Sequence, residues 1–236
     1  MSLLHLLLIE ADNSHSLGGS CIRDLNNFYN YAKQFSQDKK ISIGQSVILS
    51  IDNDNKIQSK FPNSTFDKLS NYKSVFSSFT SKINSTDYVI ILISGHGYQQ
   101  KSNTKEEVDM LDEYISYNGG IILDNEINSL LVSKLSISKR AVCLADTCHS
   151  GTIFDNTINH KNVYSISACL DNQLDSCDIG NNVGFGGALT VHLLDQSNSI
   201  STLLLGTNDD IKHLIKKIEN IMKPLGQVPN LIIPLN

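Results

Sequence analysis

Two apolar runs constrain this chain more than any other feature. Tyr88 to Gly97 reads YVIILISGHG, and Ala141 to Gly151 reads AVCLADTCHSG. Apolar runs of this length, bounded by turn residues, are candidate buried strands. Each gives way to small and polar residues, so one delivers His96 and the other Cys148 past its C-terminal end. Open α/β sheets place their sites at that end of the strands. A thiol and an imidazole launched from separate strand ends are the parts that thiol nucleophile chemistry needs.

The remaining pattern alternates strands with helices. Leu3 to Glu10 reads as the first strand. Ile22, Leu25, Phe28, Tyr29, Ala32 and Phe35 then recur at helical spacing, predicting an amphipathic helix from Cys21 to Phe35. Ser46 to Ile51 is a second strand, and Phe66 to Ile83 a second helix. Gln99 to Asp109 is polar and charged and reads as a loop. Asp112–Tyr117 and Gly120–Leu123 predict a hairpin around Asn118-Gly119, a strong turn dipeptide. Asp124 or Asn125 caps a helix through Leu135. Strands follow at Arg140–Ala145 and Val163–Ala168. A glycine-rich stretch leads into a helix at Ala188–Gln196. A last helix spans Asp209 to Met222, with Asp209 and Asp210 at its positive end. Asn230 to Pro234 is a terminal strand. This alternation predicts an α/β fold with a mostly parallel central sheet of about six strands and helices on both faces.

Composition narrows the function classes. Only 4 prolines occur and no Gly/Ser tract separates two halves, so residues 1–236 are expected to form a single domain. The net charge of −5 argues against a nucleic-acid face, which needs clustered Lys and Arg. The densest basic stretch, Lys212 to Lys223, contains Glu219 and reads as a solvated helix face. The 5 cysteines (Cys21, Cys143, Cys148, Cys169 and Cys177) match no zinc or disulfide spacing. Reduced thiols and a cytoplasmic location are therefore expected. No apolar run reaches membrane-spanning length, and Leu3–Ile9 lacks the basic flank of a signal peptide.

A lone cysteine is most often a small core hydrophobe. Cys143, between Val142 and Leu144, reads that way. Cys148 differs because it lies beyond the strand among polar residues. His96 differs because Gly95 and Gly97 flank it, allowing close backbone approach. His149 is adjacent to Cys148 and so points elsewhere; it reads as structural or solvent-facing.

SGHG, followed 52 residues later (His96 to Cys148) by DTCHSG, resembles the metacaspases of the caspase-like cysteine peptidase clan. Further segments extend the resemblance across nearly the whole chain. They are GSCIRD (Gly19 to Asp24), EVDMLDEYI (Glu107 to Ile115), SACLDNQ (Ser167 to Gln173) with Asp178, GALT (Gly187 to Thr190) and QVPNLIIP (Gln227 to Pro234).

The resemblance implies a caspase-like fold, with a large-subunit-like part at 1–160 and a small-subunit-like part at 161–236. It implies a cysteine endopeptidase in which Cys148 attacks, His96 moves the proton, and the N–H groups of Cys148 and Gly97 form the oxyanion hole. It assigns Cys21, Asp24, Ser94 and Asp146 to the pocket for the residue before the cleaved bond. Two carboxylates there imply cleavage of peptides or proteins after Arg or Lys. Without that context, Asp24 reads as an ordinary polar helix position.

The resemblance also implies activation by Ca²⁺ at Asp112, Asp124, Asn125 and Asp155, oxygen ligands that suit a hard cation. Asn125 stands where an Asp is common, which lowers the charge of the site. The other reading is that Asp124 and Asn125 only cap a helix and Asp155 ends a turn. A minimal form without a prodomain is expected. Lys101 and Lys105, in the polar loop, are the accessible candidates for self-cleavage. A monomer is expected, since Pro229 and Pro234 disfavour pairing at the terminal strand. The alternative from another class is an inactive caspase-like regulator or scaffold that binds basic peptides. Intact Cys148 and His96 weigh against it.

Overall fold

The computed structural model describes residues 2–52, 54–102, 110–154, 157, 159–176 and 179–234. A seven-stranded sheet lies at its centre, in the order β12-β9-β8-β4-β1-β2-β3. Its strands are β1 (Leu3–Ala11), β2 (Ser42–Ser50), β3 (Thr65–Lys68), β4 (Tyr88–Gly95), β8 (Arg140–Asp146), β9 (Val163–Ser167) and β12 (Asn230–Ile232). All neighbours pair in parallel except β12, which runs antiparallel to β9 at the edge. Every residue of β4 is buried, as a parallel strand covered on both faces requires.

The two-residue period of the strands sends alternate side chains to two cores. Leu4, Leu6, Leu8, Ile90, Leu92, Val142 and Leu144 face one side. There they meet α1 (Ser20–Lys39), α6 (Ala188–Asp195), α7 (Ser199–Leu205) and α8 (Asn208–Met222), through Leu25, Phe28, Leu193, Leu203 and Ile218. Leu7, Ile9, Ile91, Ile93, Ala141 and Cys143 face the other side. They pack on α3 (Tyr72–Thr80) and on a continuous helical stretch through Phe76, Phe79, Ile127, Leu131 and Leu135. That stretch is α4 (Asp124–Ile127), a π-helical turn (Asn128–Val132) and α5 (Ser133–Leu135). The architecture is α/β with helices on both faces.

Several local expectations are corrected. The sheet has seven strands because Thr65–Lys68 adds a parallel edge strand to β2. Helical spacing sets in only at Leu69, so the helix predicted from Phe66 begins as β3, passes through a 3-10 turn (Leu69–Asn71) and becomes α3 at Tyr72. A short helix, α2 (Asn55–Gln58), precedes it. The predicted loop from Gln99 begins as strand, since β5 (Gly97–Lys101) pairs with β6 (Leu111–Tyr117), which pairs in turn with β7 (Gly120–Leu123). Lys101 therefore ends a strand, and Lys105 lies outside the described residues. The glycine-rich stretch is a small hairpin of β10 (Ile179–Asn181) and β11 (Gly184–Gly186). The acids opening α8 do more than meet its dipole. Thr207 Oγ1 accepts from Asp210 N–H, and Asp210 accepts from Thr207 N–H in return, a capping box. Among the described residues, no helix is long and apolar enough to cross a membrane.

Candidate active site

Three parallel strands end side by side. In their register Glu10 of β1 lies opposite Ser94 of β4, and Ser94 lies opposite Asp146 of β8. The residues that follow therefore emerge together: Asp12 after β1, His96 after β4 and Cys148 after β8. Backbone packing fixes the loops to one another. His96 N–H donates to the Ala11 carbonyl at 3.0 Å. A Cβ on Gly95 would lie 2.5 Å from Ala11 backbone atoms, and one on Gly97 only 1.9 Å from the Cys148 carbonyl oxygen. Glycine at both positions lets the His96 loop settle onto β1 and against Cys148.

Among the described cysteines, Cys148 alone is half-buried, while Cys21, Cys143 and Cys169 are buried. Burial pushes those three thiols up, away from the reactive thiolate form. Cys148 Sγ accepts the N–H of Asp175 at 3.2 Å. His149 turns away in a left-handed conformation (φ 51°). Its N–H donates to the Gln173 carbonyl, and its Nδ1 lies at hydrogen-bond distance from the Asp171 carbonyl. It thereby ties down the loop that carries Asp175.

The side chain of His96 is 23% exposed. Its Nε2 faces Ser16 Oγ (2.8 Å), Ser14 Oγ (3.2 Å) and Asp12 Oδ1 (3.4 Å). Tyr98 tilts against its ring at 5.9 Å and stacks in turn on Tyr114.

Cys21, Asp24, Ser94 and Asp146 are brought together beside this pair. Ser94 Oγ donates to Asp24 Oδ2 at 2.7 Å, and Cys21 lies against Ser94. Asp24 also accepts the Gly187 N–H, while Asp146 accepts those of Thr190 (2.7 Å) and Leu189 (3.3 Å) at the start of α6. Burial first, and then the Asp146 carboxylate, hold Asp24 well above the usual carboxylate range. Gly186 and Gly187 wedge between the two acids: a Cβ on the first would lie 1.9 Å from Asp24 Oδ1, and on the second 2.5 Å from Asp146 Oδ2.

Sequence reasoning missed three acids here. Glu10 is buried and accepts from Asp12 N–H, Ser50 Oγ and Ile51 N–H, which anchors the end of β1. Asp12 is described above. Asp175 turns inward to Asp146 and accepts from Gln227 Nε2, and burial followed by Asp146 pushes its carboxyl well up. The available signal was an acid just past a strand end, which Asp12 shares with the better marked His96 and Cys148.

Of the expected calcium ligands, Asp112 lies on the neighbouring hairpin, and Asp124 and Asn125 open the helix that follows it. Asp112 on β6 is buried, and its Oδ1 has no hydrogen-bond partner among the described residues. Asp124 is fully buried where α4 leaves β7. Tyr114 opposite Leu123 sets that helix start near the Asp112 end of β6. Asn125 follows and is half-buried, and Asp155 lies outside the described residues. Buried carboxylate oxygens of this kind fit a hard cation, although no group of three or more His, Cys, Asp or Glu side chains forms a metal cluster among the described residues.

The close approach of Gly97 to Cys148 is directly testable. Gly97→Ala overpacks the contact and is expected to cost about 1–3 kcal/mol of stability, read from urea unfolding. An unchanged midpoint would mean that the His96 loop does not rest on Cys148.

Comparison with known proteins identifies the family. Residues 7–157, more than half of the chain, match the family model for the metacaspase, peptidase C14 domain. A metacaspase-2 of Trypanosoma brucei brucei is 28% identical over 234 residues, covering 83% of this chain and 63% of the relative. A metacaspase-2 of Arabidopsis thaliana is 36% identical over 73 residues, covering 29% of this chain and 18% of the relative. The chain thus spans less than two thirds of the length of these relatives. A solved structure of a Geobacter sulfurreducens protein shares the fold, with a TM-score of 0.64 at 20% identity, over 100% of this chain and 94% of that one. With both strand-end motifs inside the matched region, the chain belongs to the metacaspase family, whose fold is caspase-like and whose members are cysteine-type peptidases.

Proposed function

We propose that this chain is a cysteine endopeptidase that cleaves peptide bonds after Arg or Lys and is activated by Ca²⁺. The observation that carries the reading is the seating of Gly97 on the Cys148 carbonyl, which packs the loop that bears the imidazole against the backbone that bears the thiol. In the reaction, Cys148 gives its Sγ proton to His96, and the thiolate attacks the substrate carbonyl. The Cys148 and Gly97 N–H groups are the assigned donors to the oxyanion. His96 returns the proton to the leaving amine. Water then hydrolyses the thioester, with His96 as base.

The clustering of Asp24, Asp146, Ser94 and Cys21 supports a basic residue before the cleaved bond, because a guanidinium or ammonium would pair with the two buried acids and relieve their mutual repulsion. The cation would be held by Asp112, Asp124, Asn125 and Asp155, where it would neutralise buried acids and stiffen the hairpin. Peptides and proteins are the partners. The free thiols of Cys21, Cys143, Cys148 and Cys169 support a cytoplasmic setting. A terminal edge strand of 3 residues, flanked by Pro229 and Pro234, supports a monomer.

Turnover of Arg-, Lys- and Asp-ended fluorogenic peptides, in Ca²⁺ and in chelator, tests the reading. Arg and Lys peptides should be cleaved in Ca²⁺ only, and Cys148→Ala should be inactive. Cleavage of the Asp peptide alone would overturn the pocket assignment. Equal rates in chelator, with no heat of Ca²⁺ binding by calorimetry, would overturn the metal site.

The raised Asp24 gives a second test. The folded chain holds a proton there that the unfolded chain releases near its ordinary value of about 3.9. This contribution to stability is complete below about pH 4 and is lost as pH rises through the folded value. Asp24→Asn should therefore raise the thermal midpoint at pH 8 while lowering kcat/KM on the Arg peptide at least ~100-fold. Undiminished cleavage would remove Asp24 from the pocket.

A further inference from the structure

The turn after β1 forms a directed hydrogen-bond chain that ends on His96. Asp12 is 4% exposed, and its carboxylate is pinned by backbone N–H groups: Ser16 N–H to Oδ1 at 3.1 Å and Leu17 N–H to Oδ2 at 3.0 Å. Ser14 Oγ lies 3.3 Å from Asp12 Oδ1 and 2.7 Å from Ser16 Oγ, which lies 2.8 Å from His96 Nε2. An ionised carboxylate only accepts, and each hydroxyl has one proton to give. The Ser14 proton therefore goes to Asp12, and the Ser16 proton goes to Ser14. The Ser16 oxygen is left to accept from His96 Nε2–H. The direct approach of Nε2 to Asp12 Oδ1, at 3.4 Å, has the same polarity.

We propose that Asp12, acting through Ser14 and Ser16, is a positioning residue that holds His96 as its Nε2–H tautomer and balances the imidazolium charge. This rests on the assignment of Cys148 and His96 as the reacting pair. With Nε2 committed to the turn, Nδ1 is the nitrogen left for the thiol. The Cys148 S–H bond breaks, its proton moves to Nδ1, the electron pair stays on sulfur, and Nε2 keeps its own proton. The Asp12 charge favours the proton on the ring over the proton on sulfur. An acid that orients and supports a catalytic imidazole without reacting itself is a recurring device in nucleophilic hydrolases.

The other ionisable groups on the neighbouring elements are Tyr98 on β5, 5.9 Å from the ring, Cys148 just past β8, and Asp175, whose N–H reaches the Cys148 sulfur and whose carboxylate faces Asp146 and Gln227. Glu10 stands behind Asp12 and accepts its N–H at 3.0 Å. His15 and Asp52 pair at 3.6 Å near the tip of the turn and are largely exposed. Of these groups, only Asp12 presents a carboxylate to Nε2 among the described contacts.

The test is the pH dependence of Cys148 alkylation by iodoacetamide, followed by peptide mapping, beside peptide turnover. In the native chain Cys148 should become reactive well below the free-thiol value of about 8.5. In Asp12→Asn and Asp12→Ala that midpoint should move up toward the free-thiol value, and alkylation at pH 7 should slow at least ~10-fold. Turnover should lose kcat with KM nearly unchanged, and Asp12→Glu should restore part of it. Ser16→Ala leaves the Asp12 backbone anchors in place and should give an intermediate shift, so it carries the test if the Asp12 variants unfold. A native midpoint already at the free-thiol value, or an unchanged midpoint in folded Asp12→Asn or Ser16→Ala, would overturn the proposal. A native chain that cleaves no peptide would instead overturn the peptidase reading, and the alkylation profiles would still decide the role of Asp12.

Discussion

The common level at which β1, β4 and β8 end is the constraint on which the rest of the site depends. Parallel pairing sets Glu10, Ser94 and Asp146 in one row across the sheet, so the next few residues of all three strands must share one small volume. Backbone hydrogen bonds of the ladder and two buried faces hold that row, and no local sequence preference could do so alone. The loops that carry His96 and Cys148 meet because their strands are neighbours. The glycines around His96 let two loop backbones approach more closely than any side chain would permit.

The same geometry gathers acids. Glu10, Asp12, Asp24 and Asp146 are all at most 5% exposed, and Asp175 turns in beside them. Burying unpaired carboxylates is costly, and the fold offsets this with donors in place of cations. Backbone N–H groups at Ile51, Ser16, Leu17, Gly187, Leu189 and Thr190 each reach one of these acids. Asp24 and Asp175 still lie well above the usual carboxylate range, so that end of the sheet holds unspent attraction for a cation. Under the proposed function the substrate supplies that cation, and binding energy would come from relieving a repulsion stored in the fold.

Much of this was legible from residues alone, for identifiable reasons. β1, β4 and β8 are near-continuous apolar runs, because strands buried on both faces leave no room for polar alternation. Cys148 and His96 stood out by lying just past such runs. β3 and β5 were not legible. Phe66 sits directly before residues with helical spacing, and the GYQQK of β5 is mostly polar because it pairs only in the outer hairpin. α7 escaped although Ile200, Leu203 and Leu204 carry helical spacing, since Ser and Asn surround them. Asp12, Glu10 and Asp175 were invisible for another reason. Apart from the local contact of Asp12 with Ser14, their partners lie tens of residues away or are backbone groups, and the tertiary register brings them together. The resemblance to metacaspases pointed to Asp24 and Ser94, whose pairing no periodicity would have revealed.

Covalent labelling tests the central claim most directly: that the fold activates one thiol by setting it against one imidazole beside an acidic pocket. The chain would be treated with a peptidyl acyloxymethyl ketone ending in Arg, and the adducts located by intact mass and peptide mapping. One adduct per chain on Cys148, blocked by an Arg-ended peptide and absent in His96→Ala, is the predicted result. Labelling of Cys21, Cys143 or Cys169 in its place, or equal labelling of His96→Ala, would contradict the account.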